Sequence, residues 1–168
     1  VQKVFYFHVA AAWVGMLGFM VAAIAGILYL AKNKIIYDVA GAAAVEISLV
    51  FFFAAIVMGS IWARPTWNTW WTWDTRLTTA AIVELIYAAY VMLRRGLEDP
   101  EQRARLSAVY AILGFISVPM TFISIRMLRT IHPVVVGGGG AAGNSSGGFN
   151  MVPSMVQTLL FSIAAFSV

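Results

Sequence analysis

Five long apolar runs follow one another along this chain, and they restrict its fold more than any other feature. They cover residues 4–30, 39–61, 77–93, 106–128 and 152–168. About 20 apolar residues in helical form cross a hydrocarbon core of about 30 Å, because a helix satisfies its own backbone hydrogen bonds there. The sequence therefore predicts an all-α integral membrane protein, a bundle of five transmembrane helices that forms a single domain over residues 1–168.

Composition agrees with a membrane location and excludes several kinds of chemistry. Of the 168 residues, 61% are hydrophobic and 11% are charged, whereas about a quarter of the residues of a soluble domain are charged. The chain has no cysteine, which excludes disulfides, zinc–thiolate sites, iron–sulfur clusters and thiol catalysis by this chain alone. Its eleven Lys and Arg residues are scattered, so nucleic-acid binding is not expected.

The connections between the runs indicate an orientation. Lys32, Lys34 and the stretch 94–105 are predicted to face the cytoplasm, and the N-terminus and the segments 62–76 and 129–151 the outside. Lys and Arg number six on the first face and five on the second, which favours this orientation only slightly. Segment 129–151 is glycine-rich and is expected to be an external loop; it lacks the Gly-Lys-Ser/Thr ending of a phosphate-binding loop.

Tryptophan is concentrated in the external segment 62–76. Five of the six Trp residues fall between Trp62 and Trp73. An interfacial aromatic belt is one interpretation, but a belt usually needs only one or two rings per helix end. Five rings, followed by Asp74 and Arg76, favour a platform of flat apolar faces for a large planar ligand with a polar edge.

The two histidines, His8 and His132, lie at the predicted external ends of two runs, on the face that carries the Trp segment. Two neutral imidazoles at one membrane surface can ligate a haem iron from opposite sides. A single histidine in such a place is more often a polar anchor. The pair beside the Trp segment favours ligation over anchoring.

Several charged residues accompany this face. Guanidinium groups match carboxylates such as haem propionates, and lipid headgroups are the competing partners. Asp74 is predicted to orient Arg76 or to cap the following helix. The arginines concerned are Arg64, Arg76, Arg126 and Arg129.

Glu46 and Glu84 fall inside predicted spans. A carboxylate is costly there and normally faces the bundle interior or water. A proton relay and a protonated structural role are both compatible with their positions.

Three segments together resemble a known family. The run 59–78, GSIWARPTWNTWWTWDTRLT, resembles the tryptophan-rich WWD signature of haem-handling membrane proteins, and its Asp-x-Arg-Leu-Thr ending is similar to that of the cytochrome c maturation protein C (CcmC) family. The segments 7–13, FHVAAAW, and 129–132, RTIH, are similar to the two histidine-containing segments of the same family.

The chain departs from the family pattern at a few positions. Asn68 and Ala63 stand where glycine is common, and Pro133 follows His132 where the family often has glutamine. None of these changes removes a candidate ligand. The family typically has six spans, so five spans here imply a further helix upstream.

The resemblance implies haem trafficking rather than catalysis. It implies that haem b is held transiently and non-covalently on the periplasmic side of the bacterial inner membrane, or of its mitochondrial counterpart, and passed to the haem chaperone CcmE. His8 and His132 would be the axial ligands, and Trp67, Trp70, Trp71 and Trp73 would contact the porphyrin. The implied partners are the ABC-type subunits CcmA and CcmB, which would hydrolyse ATP, and the single-span CcmD.

Two other functions remain open from the residues alone. A membrane redox subunit would hold a bis-histidine haem within its spans for electron transfer. A haem or proton transporter would use Glu46 and Glu84 within the bundle, with broken helices or repeated halves near the midplane.

Overall fold

The computed structural model describes residues 2–127, 132 and 151–168, and every regular element in them is a helix. Their order is α1 (Gln2–Lys32), α2 (Ile35–Trp67), α3 (Thr75–Gly96), α4 (Pro100–Phe115), α5 (Ser117–Met127) and α6 (Pro153–Ser167). Four segments are long and apolar enough to cross a membrane, namely α1, α2, α3 and the continuous stretch Pro100–Ser124. The fifth expected span corresponds to α6, a shorter apolar helix. The all-α membrane class predicted from the sequence is therefore confirmed.

Helices α1 and α2 form an antiparallel hairpin that organises the bundle. Their link consists of Asn33 and Lys34, and Asn33 has a positive φ of 50°, a conformation that asparagine tolerates better than most residues. Small residues allow the two backbones to approach closely. Gly18 lies against Ser48 and Gly41 against Ala25.

The bundle core lies between this hairpin and α3. Phe19 of α1 stacks on Tyr87 of α3 with ring centres 3.7 Å apart, and it meets Phe52 of α2 edge to face. All three side chains are buried. This aromatic layer fills the middle of the molecule and separates its two ends.

The fourth span is one apolar segment with a break in its middle. Helix α4 ends at Phe115 and α5 begins at Ser117. Pro119 explains the break, because proline lacks the N–H that would bond the carbonyl four residues earlier and its ring clashes with that carbonyl. The residue four positions before Pro119 is Phe115, where α4 ends.

Candidate functional site

An apolar cavity opens at the end of the bundle where α1 begins, α2 ends and α3 begins. Its enclosed volume is about 100 Å³. Phe5, Ala12, Phe52 and Ile56 contribute to its apolar wall. The polar and aromatic groups that line it are His8, Ser60, Trp62, Trp67, Trp71, Arg76, Thr121 and His132. The two histidines and part of the Trp segment, which lie far apart in the sequence, therefore meet in one place.

His8 is held in a defined orientation by the neighbouring helix. Its Nδ1 lies 2.7 Å from the carbonyl oxygen of Ala55. A carbonyl oxygen only accepts, so Nδ1 carries the hydrogen and donates it, and Nε2 of the neutral ring keeps its lone pair. Ligating histidines in proteins commonly donate their other ring N–H to a carbonyl in this way. The ring is therefore prepared to act as a ligand through Nε2.

His132 lies close to His8, and both residues line the cavity. The two ring centres are 6.2 Å apart, and the ring planes are inclined by 48°. Two imidazoles bound on opposite sides of one metal ion, each through a bond of about 2 Å, have ring centres roughly 6 Å apart. The separation therefore fits the donor set that a haem iron would need. The ring of Trp67 also meets His132, at 6.2 Å and nearly edge to face.

The Trp residues divide into two groups. Trp62, Trp67 and Trp71 line the cavity. Trp70 and Trp73, by contrast, are 57% and 78% exposed and are not among the lining residues. The indole Nε1 of Trp71 is buried and has no hydrogen-bond partner among the described residues.

Trp62 is a lining residue that was not among the expected contacts. Its ring packs edge to face on Trp67, with the ring centres 5.3 Å apart. The sequence signal was present, because Trp62 opens the same tryptophan cluster. Residues 62–76 were expected to form a connection, so Trp62 was not expected to lie on a helix. In the structure α2 continues to Trp67, with Pro65 inside it.

The end of α2 explains one departure from the family pattern. Asn68 is the C-cap of α2 and has a left-handed backbone with φ 57°. Glycine adopts this conformation most easily and asparagine is the usual substitute. Arg64 donates to both the backbone oxygen and Oδ1 of Asn68, at 2.6 and 2.8 Å. Arg64 therefore fixes the turn and is not among the residues that line the cavity.

Two further charged residues, Asp74 and Arg76, lie at the start of α3. Oδ1 of Asp74 accepts from the backbone N–H of Leu77 at 2.9 Å, so Asp74 caps α3 as the sequence predicted. Arg76 lines the cavity and its guanidinium lies 5.2 Å from the ring centre of Phe122. The side chain of Arg126, the residue Arg129 and nearly all of segment 129–151 lie outside the described residues.

Glu46 and Glu84 do not line this cavity in the part of the chain that the structure describes. Glu46 borders a separate polar cavity with Tyr90, Arg94 and Arg103, at the other end of α3. The Oε2 atom of Glu84 is buried without a hydrogen-bond partner among the described residues.

The sequence analysis did not predict an ion pair at the end of the bundle opposite the cavity that His8 lines. Arg94 donates to both carboxylate oxygens of Asp38, at 2.5 and 3.0 Å, and both side chains are largely buried. The pair joins the first turn of α2 to the last turn of α3. Its sequence signal is an acidic residue just before one apolar run, 39–61, and a basic residue just after the next, 77–93.

Fold and site together define a class: a multi-pass membrane protein with paired imidazoles in a tryptophan-lined cavity at one end of its helix bundle. Comparison with known proteins identifies the family within this class. The family model described as heme exporter protein C (CcmC) matches residues 1–168, and the chain belongs to this family.

Curated relatives agree with this assignment. The chain is similar to heme exporter protein C of Bradyrhizobium diazoefficiens, with 35% identity over 98% of this chain and 60% of the relative. It is 31% identical to heme exporter protein C of Escherichia coli K12 over 77% of this chain and 53% of the relative. A putative cytochrome c biosynthesis ccmC-like mitochondrial protein of Marchantia polymorpha is 29% identical over 77% of this chain and 54% of the relative. The chain thus spans little more than half the length of these relatives.

Proposed function

We propose that this protein binds haem as a cargo at the cavity formed by α1, α2 and α3 and presents it for transfer. The observation that carries the proposal is the pair His8 and His132, whose ring centres are 6.2 Å apart across a tryptophan-lined cavity. Membership of the heme exporter protein C family supports haem as the cargo.

Each group at the site has a role in this proposal. Nε2 of His8 and a ring nitrogen of His132 are the axial ligands to the iron. Trp62, Trp67 and Trp71 offer apolar ring faces and edges to the porphyrin. Arg76 pairs with a propionate, and Arg64, Arg126 and Arg129 are further candidates for the same task.

The size of the cavity favours presentation over enclosure. Ordinary ligand pockets measure about 300–1,000 Å³, whereas the enclosed space here is about 100 Å³. Most of a porphyrin would therefore project from the mouth, where the exposed rings of Trp70 and Trp73 can meet it. A ligand held in this way is retained by its iron and one edge and stays accessible to an acceptor.

The proposed physiological role follows from this accessibility. Haem b is held non-covalently on the periplasmic side of the bacterial inner membrane and delivered to the chaperone CcmE. The protein acts as a holder rather than as an enzyme, and CcmA and CcmB supply ATP hydrolysis in a complex that also contains CcmD. Family membership supports this assembly.

An absorption spectrum of the detergent-purified protein with haem tests the proposal. We expect low-spin bands in the parent and a weaker or high-spin spectrum in both His8→Ala and His132→Ala. Imidazole added to His8→Gly should restore the low-spin bands, which separates a lost ligand from a lost fold. Parental spectra in both alanine variants would overturn the ligand assignment, and a parent that binds no haem would overturn the proposed function.

A further inference from the structure

The packing of α1 on α2 continues without interruption into the cavity. Gly15 of α1 lies against Phe52 of α2, and His8 lies against Gly59. The second contact is seven residues, or two helical turns, beyond the first on each helix. A repeat of seven residues is the spacing at which two helices keep side chains of one fitted between those of the other. His8 therefore continues the close α1–α2 packing two turns beyond Gly15.

At this position the imidazole of His8 fills the space that a side chain on Gly59 would occupy. A Cβ atom added to Gly59 would lie 2.9 Å from Cε1 and 3.1 Å from Nδ1 of His8, and 3.7 Å from Nε2. The Cε1–Nδ1 edge therefore faces α2, where Nδ1 also donates to the carbonyl of Ala55 at 2.7 Å. Nε2 is the farthest of these three ring atoms from the added Cβ atom, and it keeps its lone pair when Nδ1 carries the hydrogen.

We propose that Gly59 is a positioning residue for His8: its bare backbone and the carbonyl of Ala55 form a slot that fixes the imidazole in its Nδ1–H tautomer and leaves the lone pair on Nε2. The inference rests on the proposed function in one respect, namely that this Nε2 is the iron ligand. The slot itself is a property of the protein without haem.

Separating the two helices to accept a larger residue is unfavourable, because it would open the close packing at the neighbouring contact. A Cβ atom on Gly15 would already lie 2.9 Å from Cβ and 3.1 Å from the backbone nitrogen of Phe52, so α1 and α2 are in close contact two turns away. A methyl group at position 59 must therefore displace the imidazole and stretch its hydrogen bond to Ala55. Alanine in helix α2 is otherwise favourable, because its helix propensity exceeds that of glycine.

The first test is haem binding by Gly59→Ala, with Gly96→Ala as the matched control because nothing lies within 4 Å of a Cβ atom added there. We expect Gly59→Ala to lower haem affinity roughly 10- to 100-fold, the range for losing an outer partner of a metal ligand, and to weaken the low-spin bands. In a His8→Ala background the same substitution should have no further effect, because the two residues act through one ring. Parental affinity in Gly59→Ala, or additive losses in the double variant, would overturn the proposal.

A second test needs no haem and separates this inference from the proposed function. Nitrogen-15 NMR of histidine-labelled protein reports the tautomer of each ring, and His132→Ala assigns the remaining signal to His8. We expect the Nδ1–H tautomer in the parent and a mixture in Gly59→Ala. The inference stands if this holds in a protein that fails to bind haem, whereas the Nε2–H tautomer in the parent, or an unchanged signal in Gly59→Ala, would overturn it. Should Gly59→Ala fold poorly, the added change His8→Ala is expected to restore its yield by removing the clash.

Discussion

At the scale of single residues, the environment of each tryptophan matters more than the abundance of the type. Trp71 lines the cavity, and its buried indole N–H has no hydrogen-bond partner within the part of the chain that the structure describes. Trp13, on α1, is 44% exposed on the outer surface of the bundle. A buried donor without a partner is unfavourable, and a bound acceptor relieves that cost. Trp71 therefore has a donor available for a ligand in addition to its apolar ring.

Trp71→Phe keeps an aromatic ring and removes the donor. We expect haem affinity to fall about tenfold, the effect of losing one hydrogen bond to a charged acceptor, while the haem-free protein becomes no less stable. Haem titration and thermal unfolding measure the two effects, with Trp13→Phe as the control. Equal affinities in Trp71→Phe and the parent would show that the indole N–H takes no part in binding.

The same scale shows the limit of prediction from sequence. His8, His132 and the Trp cluster were identifiable by residue type and by their shared predicted face, and the structure brings them together. Which rings face inward was not predictable, because it depends on α2 continuing through Pro65 to Trp67. Gly59 is recognisable in the sequence only as part of a motif, since its close contact with His8 exists only after α1 and α2 pack.

At the scale of helices, the contacts between two helices cannot be predicted from either apolar run alone. The ion pair between Asp38 and Arg94 joins α2 to α3 at the end opposite the cavity. Tyr90 contributes as well, with its ring centre 5.9 Å from the Arg94 guanidinium. The approximate positions of the helices were predictable from apolar runs, whereas this pairing depends on how α3 lies against the hairpin.

Removing one partner of this pair should destabilise the bundle. Asp38→Asn leaves a largely buried guanidinium without its counter-charge, and breaking a buried pair in this way costs about 3–5 kcal/mol. We expect a fall of about 3 kcal/mol in the free energy of unfolding, measured in detergent, with the exposed Glu98→Gln as control. The double variant Asp38→Leu/Arg94→Leu should recover most of the loss. A single variant as stable as Glu98→Gln would contradict the role given to the pair.

At the scale of the whole molecule, two cavities lie at opposite ends of the bundle. The first contains His8 and the inward-facing tryptophans, and the second contains Glu46 and Arg94. The aromatic layer of Phe19, Phe52 and Tyr87 fills the space between them. This arrangement favours presentation of haem at one surface over passage of haem through the bundle.

The double variant Glu46→Gln/Glu84→Gln tests that preference. Neither glutamate is among the residues that line the cavity proposed to bind haem, so we expect haem transfer to an acceptor chaperone at the parental rate. His8→Ala serves as the variant that loses transfer. A comparable loss in the glutamine variant, with haem binding intact, would favour a transport or proton-coupled function instead.

The link between α1 and α2 has a consequence for the site at the far end of the hairpin. Asn33 and Lys34 alone connect the two helices. So short a link allows α1 very little displacement along α2. One residue more or less within α1, between His8 and this link, would shift His8 by about 1.5 Å along the helix and turn it by about 100°. The turn at one membrane face thus determines the position of the His8 imidazole along α2 at the other face.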